Sequence, residues 1–71
     1  MKNLIEQIKK LSDDQLIIFD LIINIYPLAG IHESLNKENI DIKFNITDYD
    51  TLNKIKKLSR EFIKLRNIEI I

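Results

Sequence analysis

Residues 40 to 46 read Ile40-Asp41-Ile42-Lys43-Phe44-Asn45-Ile46, and the fold class turns on them. Apolar side chains occupy every second position, with polar ones between, which is the period-two pattern of a strand with one buried face. The segment therefore reads as a half-buried β-strand. On its C-terminal side, Thr47 or Asp48 is placed to cap a long helix, with Asp48 and Asp50 in the first turn, where the helix dipole favours negative charge. Tyr49, Leu52, Ile55, Leu58, Phe62 and Leu65 follow at spacings of three and four, and Asn67 is a stop because asparagine tolerates the left-handed conformation. The tail Ile68-Glu69-Ile70-Ile71 then reads as a second short strand, and strand, helix, strand in that order predicts a right-handed parallel crossover.

The segments before residue 40 read as helices. Leu4, Ile5, Ile8 and Leu11 form one apolar stripe, while Lys2, Glu6, Lys9 and Lys10 lie elsewhere. Ser12 and Gln15 have the spacing of a capping box, and Leu11 and Leu16 that of a hydrophobic staple, so a helix boundary falls at Ser12. From Asp13 to about Tyr26, Leu16, Ile17, Ile18, Phe19, Leu21, Ile22, Ile23 and Ile25 cover nearly the whole helix circumference. Only the strip of Asp13, Asp20 and Asn24 is polar, so the helix is expected to be surrounded. Pro27 ends this helix and suits the first turn of a short one running to about Asn36, with Gly30 inside it. The expected fold is α+β and helix-dominated, in the order α-α-(short α)-β-α-β with at most a two-stranded sheet. An all-α small helical bundle is the alternative.

Seventy-one residues hold one domain, 1–71, and a chain of this size buries only about 60% of the surface its unfolded state exposes. At 45% apolar and 31% charged residues it has the balance of a folded globular chain. With no cysteine, neither a disulfide nor a thiolate site braces the core, and self-association is the expected source of extra burial. The N-terminus lacks the pattern of a signal peptide, and the most apolar window, 16–29, is interrupted by Asp20, Asn24 and Pro27, short of the roughly 20 residues a spanning helix needs. A cytoplasmic protein with no membrane contact is expected. Sixteen Ile against no Val and one Ala suggest an AT-rich coding sequence and a prokaryotic or phage source.

Catalytic patterns fail on inspection. His32-Glu33 begins like a zinc-protease motif, but no second histidine follows four residues on. The plainer reading is a partly exposed histidine on a short helix. Asp48 and Asp50 open like a calcium loop, yet Asn53 stands where that loop requires glycine, and capping accounts for both carboxylates. A single glycine excludes a phosphate-cradling loop. No enzyme, cofactor or metal site is expected.

Charge is unevenly placed. Residues 1–53 carry a net −4 and residues 54–71 a net +4, so the overall zero conceals a polar molecule. Lys54, Lys57, Arg60 and Lys64 share the outward side of the last helix, with Glu61 among them and Lys56 and Arg66 toward its flanks. The plain reading is a solvated face whose cations complement the helix C-terminus. The functional one is a basic stripe for an acidic protein or for nucleic acid.

The run Leu11-Ser12-Asp13-Asp14-Gln15-Leu16, followed by an apolar helix, resembles the opening helix of winged helix-turn-helix repressors. Thr51-Leu52-Asn53-Lys54-Ile55-Lys56-Lys57-Leu58 is similar to their recognition helix, and the resemblance spans most of residues 11–71. It implies a DNA-binding regulator in which Asp50, Thr51, Asn53, Lys54 and Lys57 face the major groove. Because a stand-alone DNA binder is usually basic and this chain is neutral, that reading is the alternative. The leading expectation is a small non-catalytic regulator that binds another protein, such as an inhibitor, antirepressor or antitoxin-like factor. Lys54, Lys57, Arg60 and Lys64 would make its charged contact, and Phe19 and Ile23 would serve association, including a homodimer.

Overall fold

The computed structural model describes residues 2–42 and 46–69, with side chains from residue 4 onward. Its elements are α1 (Lys2–Lys9), α2 (Asp13–Ile25), a single 3₁₀ turn (Leu28–Gly30), α3 (Ile31–Lys37) and α4 (Tyr49–Leu65). No strand occurs among the described residues, whose regular structure is entirely helical, and the α+β expectation is corrected to the small helical bundle.

The helix boundaries have local causes. Ser12 accepts from the Gln15 amide at 3.2 Å while its own amide donates to Gln15 Oε1 at 3.0 Å, completing the capping box that starts α2. Tyr26 turns to extended geometry before Pro27, as a residue preceding proline must, and α2 stops at Ile25. Asp48 caps α4 through the Thr51 amide at 2.7 Å.

Two helices end in the same way. Asn39 (φ 58°) follows α3 and Asn67 (φ 54°) follows α4, each in the left-handed region. At each, the next isoleucine donates its amide five residues back, Ile40 to the Leu35 carbonyl at 2.9 Å and Ile68 to the Ile63 carbonyl at 3.1 Å. These are Schellman caps, with an apolar residue just past the turn packed on the core.

Those caps take up the first amide of each segment expected to be a strand, Ile40 and Ile68. Ile40, Ile42 and Ile46 are buried as the alternation requires, but among the described residues neither 40–42 nor 46 belongs to a strand. Period two reports that one side of a segment is covered; it does not report what covers it. Lys43, Phe44 and Asn45 lie outside the described residues, as do Ile70 and Ile71 of the expected second strand. The amide of Ile68 is already spent on the α4 cap.

The core forms where α2 packs chiefly on α4 and also on α3, with α1 against α4. Phe19, Leu16 and Ile23 of α2 meet Ile8, Ile31, Leu35, Ile40 and Ile55 there, all of them fully covered. The buried stripe of α4 is Leu52, Ile55, Ser59 and Ile63, with Leu58 and Phe62 at its margin, whereas Tyr49 and Leu65 are exposed. The helix is therefore rotated from the stripe expected from its sequence. Among the described residues, no helix is long and apolar enough to cross a membrane.

Candidate functional site

Asp20 explains the rotation of α4. Part of the one polar strip on an otherwise apolar helix, it is 0% exposed at the α2–α4 contact. Ser59 Oγ donates to its Oδ1 at 2.9 Å, and Arg60 Nη2 lies 3.2 Å from Oδ2 in an ion pair whose geometry makes no hydrogen bond. A buried carboxylate needs a donor and a counter-charge, and presenting Ser59 and Arg60 to it sets the face that α4 turns inward. The only sequence sign of this was the pairing of a lone Asp in an apolar helix with a Ser-Arg step on a basic one.

Arg66 closes the far end. Its guanidinium donates to the Leu11 carbonyl and to the Lys9 carbonyl, both at 2.7 Å, and lies 3.5 Å from Asp13 Oδ1. It caps the carbonyl of the last α1 residue and one in the link to α2, and so ties α4 to the α1–α2 junction.

The remaining cations of α4 face outward. Lys54, Lys57 and Lys64 are exposed and Lys56 is half-buried, and none of the four forms a salt bridge among the described residues. Lys56, Lys57, Arg60, Glu61 and Lys64 border one shallow depression on this helix. Of the expected contact residues, Lys54, Lys57 and Lys64 are thus free to meet a partner. Arg60, with its side chain 55% exposed, is shared with Asp20. At the start of the helix Asp48 and Asp50 are exposed, and Asp48 is held below the ordinary carboxylate value of 3.8 by hydrogen bonds from Thr51, with a smaller contribution from Lys54. Thr51 also gives its hydroxyl to Asp48 at 3.0 Å, so it serves the cap.

The apolar residues divide differently from the sequence expectation. Phe19 and Ile23 are 0% exposed and belong to the core, so neither can be an association surface in the folded chain. The uncovered apolar residues of this region are Leu21, Ile25 and Tyr26. Beside them Ile18, Leu21, Ile22 and Tyr26 line a cleft of about 310 Å³, with Ser34, Lys37 and Glu38 on its α3 side. Among the described residues α2 packs chiefly on α4 and α3, and Leu21 and Ile25 stay open, a division that sequence could not make because nearly all the faces of the helix are apolar.

His32 of α3 serves as an anchor. Its Nε2 accepts the Ile46 amide at 3.1 Å, tying the chain ahead of α4 to α3. Among the described residues no group of three His, Cys, Asp or Glu could hold a metal ion.

Fold and surface together define a small all-helical chain with a basic ridge on α4 and an apolar cleft beside α2. No protein-family model, curated protein or solved structure matches it.

Proposed function

We propose that the protein is a small non-catalytic regulator that acts by binding another protein, in the manner of an inhibitor, antirepressor or antitoxin-like factor. The observation that carries this is the basic ridge of α4, where Lys54, Lys57 and Lys64 are exposed and in no salt bridge among the described residues. Cations presented on a rigid helix, one of which is anchored to the core through Asp20, steer an acidic surface into register and favour fast association. Binding there acts by occlusion.

An acidic protein fits better than a nucleic acid. The chain has no net charge, and α4 carries Asp50 and Glu61, with Asp48 capping it, where a phosphate backbone would be repelled.

The test is recovery of partners with the wild-type chain and with Lys57→Glu/Lys64→Glu, alongside a gel-shift titration on duplex DNA. Arg60 is left intact because a glutamate there would place a second negative charge against Asp20 and harm the fold. The wild type is expected to retain an acidic protein and the double variant to lose it, with unchanged circular dichroism. Retention by the double variant sinks the proposal. So does salt-sensitive DNA binding without a protein partner.

A further inference from the structure

The basic ridge leaves the second surface unexplained. Leu21, Ile25 and Tyr26 stand exposed on and just beyond α2, with Ile25 at 70%, beside the cleft of about 310 Å³. We propose that this face binds a second copy of the same chain in a two-fold dimer, Ile25 of each copy seating in the cleft of the other.

The face carries both halves of a self-complement. Ile25 is a projection, and three and four residues before it Ile22 and Leu21 line the hollow. A two-fold operation brings projection and hollow together twice, reciprocally, and an isologous interface requires that one patch contain both. Charge points the same way. The cleft borders Lys37 and Glu38, and because the pair of Lys37 with Glu33 at 3.8 Å is solvent-exposed and weak, two copies can approach with Lys37 of one opposed to Glu38 of the other. The α4 ridge, of one predominant sign, would repel its own copy. The need for burial is physical as well, since a chain of this size has little core and no disulfide to reinforce it. The dimer would carry two α4 ridges on one particle, raising avidity for any target that presents two acidic sites.

Sedimentation equilibrium of the full chain, taken through about three decades of concentration to about 1 mM, reads the outcome directly. The mass is expected to rise from 8.4 kDa toward twice that value. Ile25→Glu is expected to weaken association at least tenfold while leaving circular dichroism unchanged, because an exposed side chain is altered. Tyr26→Asp serves as a second, independent probe of the same face. Lys37→Glu is expected to weaken the dimer and Lys37→Glu/Glu38→Lys to restore it. A wild type that stays monomeric throughout, including one that captures a different protein at this cleft, overturns the proposal, as does a dimer that survives both face substitutions. All of these changes lie off α4, so their effects are separable from those on the basic ridge.

Discussion

Asp20 is the residue on which the packing of this chain is most sensitively poised. Its carboxylate is fully buried, receives one hydrogen bond, from Ser59, and leans on a half-exposed guanidinium for its counter-charge. Ser59→Ala removes that donor without altering the helix, leaving a buried charge with only the Arg60 contact. A hydrogen bond to a charged group is worth about 1.5–3 kcal/mol, and the variant is expected to lose that much in urea unfolding monitored by circular dichroism. A loss below about 0.5 kcal/mol would mean that water reaches Asp20 and that the burial is not real. Arg60 is consequently a structural residue as well as a surface one, and interface mutagenesis that includes it would confuse unfolding with lost binding.

Each helix owes its limits to a few polar contacts at its ends, and one of them is titratable. Hydrogen bonds from Thr51 hold the Asp48 carboxyl below 3.8, so its folded-state value lies under that of the unfolded chain. A depressed carboxyl contributes stability that is fully present above the unfolded value and is lost as pH falls through the folded one. The melting temperature is expected to fall in acid from about pH 4 downward, as protonation removes the charge that caps α4. Asp48→Asn keeps a good capping side chain but cannot titrate, so its acid decline should be shallower than that of the wild type. Thermal melts of both at several pH values between about 2 and 6 decide this, and parallel curves would assign the acid loss to other carboxylates.

For the molecule as a whole, the division of α2 into covered and uncovered faces matters most. Phe19 and Ile25 are both large, apolar and on one helix, but one is at 0% exposure and the other at 70%. Phe19→Ala is expected to cost about 3–5 kcal/mol through lost burial and the cavity left behind. That is comparable to the entire stability of a domain this small, so the variant should be largely unfolded at 37 °C by circular dichroism. A folded Phe19→Ala chain that merely failed to self-associate would return Phe19 to the role first expected of it, at an interface.

Local chemistry was legible without a fold. Ser12 and Gln15, Pro27 after α2 and Asn67 at the end of α4 all act through groups within a few residues, so spacing alone specifies them, and it narrowed the α4 cap to Thr47 or Asp48, of which Asp48 is the one. The basic ridge was legible for the same reason, because Lys54, Lys57 and Lys64 share a helix face by periodicity. The class of the fold was not. Alternation over 40–46 correctly marked Ile40, Ile42 and Ile46 as buried, but a strand exists only if another strand is beside it, and none occurs among the described residues. Nor could sequence choose which side of α2 stays open, since its apolar residues run nearly all the way round. Tertiary structure decided that by giving Asp20 a donor and a cation on α4, which turned Phe19 and Ile23 inward and left Leu21 and Ile25 to the outside. A buried charge is costly unless it is paired, and its partners are 39 and 40 residues away, beyond the reach of any local pattern.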